Sequence, residues 1–218
     1  IRWRTRQLRE KHKELENTVA ERTKELSHRV EELAVINSVQ EGLVREMDMK
    51  TIYEMVGEKL RQIFQAQVID IATYDKETNL LTDHYAYEKG DRTLVGSWEP
   101  KGFRKQVIDS KEVFLINENL ERKSKELNSN VLLGEQPKSV LFVPLVSGSQ
   151  VKGMISLQNL DKENAFSESD VNLLKTLANS MSVGLESARR FDETVRLLKE
   201  TEQRNAELGI INSVQEGL

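Results

Sequence analysis

The chain has 218 residues, 38% of them apolar and 31% charged, with a formal net charge of −4 and no cysteine. That size accommodates one well-formed domain with extended helical segments, and the mixed charge offers no general affinity for nucleic acid. Disulfides, thiolate nucleophiles and thiolate metal sites are excluded, and no run approaches the ~20 apolar residues of a membrane-spanning helix.

The first thirteen residues carry Arg2, Arg4, Arg6, Arg9, Lys11 and Lys13 against the single acid Glu10, with Trp3 at the front. A basic cluster beside an aromatic is typical of the cytoplasmic end of a transmembrane helix. Two readings stand: a membrane segment upstream of residue 1, or a solvated basic helix face. The chain is expected in the cytoplasm, and the first reading tethers it there to the inner membrane.

From Arg4 to Met47 there is no proline and one glycine, Gly42. With Val19, Leu26 and Leu33 at heptad position a, Leu8, Leu15, Ile36 and Leu43 fall at position d. His12, Arg22, Arg29 and Gln40 interrupt this seam. A narrow apolar stripe on so charged a helix predicts a parallel coiled-coil homodimer, weakened where polar residues enter it. Residues 1–47 are therefore expected to form a stalk.

Asp48 is a predicted N-cap for a helix from Met49 to Phe64, with Ile52, Met55, Val56, Leu60 and Ile63 on one face. The period then changes to that of strands. Ala66–Tyr74 and Asn79–Tyr87 form an expected hairpin about Asp75-Lys76-Glu77-Thr78. A loop at Pro100 and Gly102 precedes a short helix near Phe103–Ser110 and a short strand at Val113–Asn117. Glu118–Asn128 is charged, poorly amphipathic and expected to be mobile. A second hairpin joins Lys138–Val146 to Val151–Leu160 around Ser147-Gly148-Ser149-Gln150. Ser167 caps the last helix with Asp170 three residues on, in the manner of a capping box.

That helix is expected to continue to the end of the chain, where Leu208–Leu218 (LGIINSVQEGL) repeats Leu33–Leu43 (LAVINSVQEGL) 175 residues downstream. Only Ala34/Gly209 and Val35/Ile210 differ. A period this long is a whole domain with its connecting helix, beyond the ~20–50 residues of a solenoid unit. The expectation is one unit of a tandem array, with residues 48–190 as the domain and 191–218 as a linker entering the next repeat. The absence of an initial methionine points to a cut at that end too.

Residues 151–189, VKGMISLQNLDKENAFSESDVNLLKTLANSMSVGLESAR, resemble the C-terminal half of bacterial GAF domains, and SVLFVPLV at Ser139–Val146 is similar to the preceding strand. The N-terminal LENTVAERTKEL resembles coiled linkers of bacterial sensor kinases and cyclases. The resemblance implies an α+β fold: a central antiparallel sheet of five or six strands with helices on both faces, flanked by long coiled-coil helices. It also implies a small-molecule pocket on one face of the sheet, in a multi-domain signalling protein with an output domain. Ligands across the family are diverse, and fold does not select among them.

Asn159, Lys162, Phe166 and Asp170 partly match the Asn-Lys, Phe, Asp-Glu motif of cyclic-nucleotide-binding members. Here the Asn and Lys are not adjacent and Val171 stands at the Glu position, so a mainly structural role is expected. Bilin attachment lacks its cysteine. His84 is the one histidine of the domain, and a lone strand histidine is poor material for a metal or haem site. GEQPKS at 134–139 lacks the glycine pattern of a phosphate loop. His12 and His28 are followed by bases, unlike a phospho-accepting histidine. No catalytic residue, cofactor or metal site is expected.

Strand alternation proposes the pocket lining. Ile69 and Ile71 suit the helices, whereas Asp70, Tyr74, Tyr85, Tyr87, Ser139 and Ser156 are candidates for an unidentified small molecule. The resulting expectation is a non-catalytic sensory module that relays a signal through dimeric helices to an output domain. A ligand-free dimerisation spacer and a cyclic-nucleotide receptor are the alternatives.

Overall fold

The computed structural model describes the backbone of residues 2–45, 48–64, 66–92, 96–129 and 134–216; the side chains of 2–10, 14, 24–29, 31, 32, 44, 45 and 207–216 lie outside the description. The chain divides into a helical unit, residues 1–38, and a larger unit, residues 39–218.

The first unit is the greater part of α1 (Arg2–Arg45). Leu15, Val19 and Leu33 of the expected seam are exposed in the single chain, as is Val30, and Ile36 is half-buried. Leu8 and Leu26 fall outside the described side chains, as does the second copy of the repeat.

In the second unit, α2 (Met49–Phe64) begins as its sequence requires. Asp48 Oδ2 accepts hydrogen bonds from the Thr51 amide (2.8 Å) and hydroxyl (2.7 Å), which hold its carboxyl below the usual carboxylate range. Ile52, Tyr53, Val56, Gly57 and Leu60 make the buried face. Then come β1 (Val68–Asp75), β2 (Leu80–Glu88), β3 (Ser97–Trp98), α3 (Gly102–Ser110), β4 (Phe114–Ile116) and α4 (Leu120–Glu126). The chain ends with β5 (Ser139–Ser147), β6 (Gln150–Asn159) and α5 (Glu168–Glu216). All pairings are antiparallel, in the order β3-β2-β1-β6-β5-β4. This six-stranded sheet with helices on either side is the expected α+β architecture. The described part of α5 continues without a break through Glu216.

The period of two sorts the strand residues onto two faces. Ile69 and Ile71, with Leu141, Val143, Ile155 and Leu157, are fully buried on the side where α2 and α5 pack. The end of α1 joins that layer: Val39 and Leu43 are buried, and Gln40 Nε2 donates to Ser180 Oγ (3.3 Å). Leu43 lies so close to α5 that a Cβ on Gly184 would stand 2.8 Å from its Cδ2. The last residue of the expected dimer seam therefore packs within its own chain.

On the opposite face Ala72, Leu81, Val140, Phe142 and Met154 cluster with Phe103 and Val107 of α3, Ile116 of β4 and Leu120. The stretch 118–128, charged and poorly amphipathic, contains α4. One apolar side chain, Leu120, seats that charged turn on the cluster. The two-residue β3 has no counterpart in the periodicity, being too short to display one.

Candidate functional site

Between this second face and the α3–α4 side lies a cavity of about 340 Å³. The strands place its floor. Asp70 of β1 sits opposite Ser156 of β6 and Ala86 of β2 in the register, so all three share a face. Gln158 follows Ser156 by one full strand period. Arg104, on α3 next to the buried Phe103, comes down from above, and Trp98 enters from the edge strand β3.

The polar centre is Asp70, which is 8% exposed. Its Oδ1 accepts a short hydrogen bond from the Ser156 hydroxyl and lies 3.5 Å from Arg104 Nη2. The Arg104 guanidinium stacks over Phe142, 5.4 Å from the ring centroid. Three buried polar atoms in this wall have no hydrogen-bond partner among the described residues: Asp70 Oδ2, Arg104 Nε and Trp98 Nε1. Folded proteins rarely leave such groups orphaned, since each costs about 1–3 kcal/mol. All three belong to residues that line this one cavity.

Of the other candidates, Tyr85, Tyr74 and Ser139 fall outside the cavity lining. Tyr85 is fully buried on the helical face, where its hydroxyl donates to Glu58 Oε1 of α2 (3.0 Å). Burial and that carboxylate push the phenol up to about 12. Tyr87 contributes to the cavity wall, yet its ring lies beneath the Arg61 guanidinium of α2, 5.3 Å away. Tyr74 packs on the neighbouring apolar cluster and donates to Asn79 Oδ1 (2.9 Å). Ser139 is consumed by backbone: its hydroxyl donates to the Lys162 (2.8 Å) and Asn117 (3.2 Å) carbonyls.

A register shift in the β1–β2 ladder accounts for the tyrosines. Ile71 faces Tyr85 while Ala72 faces Asp83, which leaves His84 as the extra residue of a bulge. His84 then stacks on Tyr53 of α2, with centroids 4.3 Å apart and Nε2 2.7 Å from Thr73 Oγ1, and burial lowers its pKa. Tyr85 meets α2 at Gly57. Asp83, 6% exposed, stands in the cavity wall instead.

The partial motif residues make bonds within the chain. Asn159 Oδ1 accepts the amides of Asp161 (3.0 Å) and Lys162 (2.8 Å), which turns the chain out of β6. Phe166 is buried, and its backbone is held at both ends by the Asn117 side chain (2.6 and 3.3 Å). Ser167 and Asp170 exchange the two bonds of a capping box: Ser167 N to Asp170 Oδ2 at 2.8 Å and Asp170 N to Ser167 Oγ at 3.2 Å.

The sequence profile of the GAF domain matches residues 46–186, more than half of the chain. The chain belongs to the GAF domain family. This GAF domain is 23% identical over 186 residues to the formate hydrogenlyase transcriptional activator FhlA of Escherichia coli K12, covering 80% of this chain. The chain spans only 26% of that protein's length, and the same holds for the activator of Salmonella typhimurium, 22% identical. Among solved structures, the fold resembles the GAF domain of an Acinetobacter phosphoenolpyruvate-protein phosphotransferase, with a TM-score of 0.64 and 17% identity over 72% of this chain and 94% of that one. It also resembles the free methionine-R-sulfoxide reductase of Neisseria meningitidis, solved with its substrate, with a TM-score of 0.60 and 16% identity over 72% and 89%. These likenesses establish the fold; the related activators are regulatory proteins. Among the described residues, no helix is long and apolar enough to cross a membrane, and no cluster of ligating side chains suits a metal ion.

Arg104, Trp98 and Asp83 were not foreseeable as site residues. No spacing links them to Asp70, since each arrives on a different element. The bulge that turns Asp83 inward has no sequence signature here.

Proposed function

We propose that this GAF domain is a non-catalytic sensory module in which a small molecule held in the cavity alters the helical layer on the other side of the sheet. The observation that carries the reading is a strap. Arg92, just beyond β2, forms a bidentate ion pair with Glu54 of α2 (2.5 and 2.9 Å) while lying 4.2 Å from the Tyr85 centroid. Glu58 of α2 is within 3.8 Å of Arg92 and accepts the Tyr85 hydroxyl. The flanking residues Lys89, Asp91 and Trp98 line the cavity. One segment thus touches the guest's chamber and grips α2, and α2 packs on α5.

In the full protein the long helices pair in a homodimer, and α5 delivers the change to an adjacent repeat or output domain. Such a change is a shift between two helix arrangements, biased by whichever the ligand prefers. The exposed Val183, Phe191, Leu197 and Leu198 on α5 favour a helical partner.

The test is a thermal-shift screen of the 218-residue chain against small metabolites, with mass by light scattering and hydrogen exchange on the best hit. A true ligand at hundredfold excess over its Kd adds about 2.7 kcal/mol and slows exchange in both the cavity wall and α2. In Arg92→Ala the cavity stays protected and α2 does not. A folded dimer with no hit supports a ligand-free spacer, and protection confined to the cavity refutes the relay.

A further inference from the structure

We propose that residues 134–138 form a gate across one end of the cavity, latched by Glu135 to the end of β2. This gate rests on the reading of the cavity as a ligand site and regulates entry to it. Val68 of β1 pairs with both Glu88 of β2 and Gln158 of β6, and Gln158 pairs with Val140 of β5. These four residues therefore stand in one row across four strands, and all of them line the cavity. Three strand spacings make the row about 14 Å wide. Residues 134–138 bridge it. On the β5 side, the Lys138 amide donates to the Asn159 carbonyl (2.8 Å) and its Nζ to the Asp161 carbonyl (3.0 Å). On the β2 side, the Glu135 amide donates to Glu88 Oε1 (3.2 Å), and Lys89 Nζ pairs with Glu135 Oε1 (2.6 Å). Between the two ends, Gln136 and Pro137 form part of the cavity wall.

The two ends of this strap differ in strength, which makes it a gate and not a fixed wall. At the β5 end, the Lys138 amide bond continues the β5–β6 ladder and Pro137 is buried. At the β2 end both bonds are exposed, with Lys89 and Glu135 showing 45% and 64% of their side-chain surface. An exposed ion pair shifts an equilibrium by no more than about fivefold, so this end is the one that lets go. Gly134 fits the latch closely. Its φ of +85° lies in the left-handed region, and a Cβ there would fall on the Glu88 carboxylate; glycine allows both the turn and the approach. The latch also leads inward. Glu88 and Lys89 lie just before Arg92, whose guanidinium grips Glu54 of α2. One short segment thus carries the catch of the gate and the hold on α2, so release of the first loosens the second.

The chain has no cysteine, so Gln158→Cys sets a single reporter thiol in the row beneath the strap. Its alkylation by iodoacetamide, a small neutral reagent, proceeds through the open gate and scales with the open fraction. In that background Lys89→Met and Glu135→Ala are each expected to speed the reaction about two- to fivefold. Glu88→Ala with Lys89→Met removes both bonds and is expected to speed it at least tenfold. Loss of a lysine raises the thiol pKa and slows its reaction, whereas loss of a glutamate does the reverse. Acceleration by both single variants therefore reports access and not thiol chemistry. Lys89→Glu combined with Glu135→Lys rebuilds the pair and should return the rate to within twofold of the parent. Ser149→Cys, in the β5–β6 turn at the far end of these strands, is the control, and an equal acceleration there means general loosening and overturns the gate. Val68→Cys, in the same row, replaces Gln158→Cys if that protein does not fold. An unchanged rate in the doubly unlatched variant overturns the gate while leaving the cavity a ligand site. Hydrogen exchange along α2 should quicken in that variant, and unchanged exchange overturns the coupling to α2. No ligand enters these measurements, so an opening gate supports the proposal even where the metabolite screen is blank, a result that counts against the sensory reading alone.

Discussion

Gly57→Ala provides a test in which two effects of opposite sign compete. In a helix interior, alanine is favoured over glycine by about 1 kcal/mol. Were the site open, the substitution would stabilise the domain. Gly57, however, is buried on α2, and a Cβ there would fall onto the Tyr85 ring. Tyr85 has no exposed surface, its hydroxyl is held by Glu58, and Arg92 covers its face. With the ring unable to retreat, overpacking costs about 1–3 kcal/mol, and the contact is close enough to place it at the upper end. The expected net loss is about 1–2 kcal/mol, a fall in Tm of about 2–8 °C for a domain of this size. Urea unfolding followed by circular dichroism measures it. In a Tyr85→Ala background, itself destabilised by about 3–5 kcal/mol, the overlap is gone and Gly57→Ala should add its full helix gain. Stabilisation by Gly57→Ala in wild type, or the same effect in both backgrounds, would refute the packing of α2 on the bulged strand.

Gly153→Ala would set a Cβ against the Ala72 carbonyl, which belongs to the paired β1 and cannot yield; a loss of at least about 2 kcal/mol is expected by urea unfolding. Asn117→Ala removes the side chain that holds the Phe166 backbone at both ends. It should cost about 1–3 kcal/mol and speed hydrogen exchange at the start of α5, whereas unchanged exchange there would contradict that anchoring role. Burial depresses the His84 pKa, so the neutral ring is the form the fold prefers. Its contribution is therefore complete above the unfolded value near 6.5 and is lost as pH falls below it toward the folded pKa. His84→Gln should flatten the stability–pH curve across that interval. The curve should still fall at lower pH in the variant, because hydrogen bonds from Arg61 and Tyr85 hold Glu58 below its usual value.

Local chemistry and periodicity by themselves determined most of the scaffold. Asp48 starts α2 because its carboxylate bonds a free amide of the first turn. Ser167 and Asp170 do the same for α5. Strict alternation in β1 separated Ile69 and Ile71 from Asp70 and Ala72, which told the helical face from the cavity face, since neighbouring strand residues must point oppositely. Tertiary structure decided what each polar residue does. Tyr85 and Asp70 were equivalent candidates in the sequence, but the bulge at His84 turns Tyr85 onto α2 and brings Asp83 into the cavity wall. Ser139 and Ser156 were likewise indistinguishable, and only strand pairing sets one against backbone carbonyls and the other against Asp70. Asp70 and Arg104 meet from a strand and a helix, 34 residues apart. Their meeting depends on how α3 docks on the sheet, a product of long-range packing that no local pattern encodes.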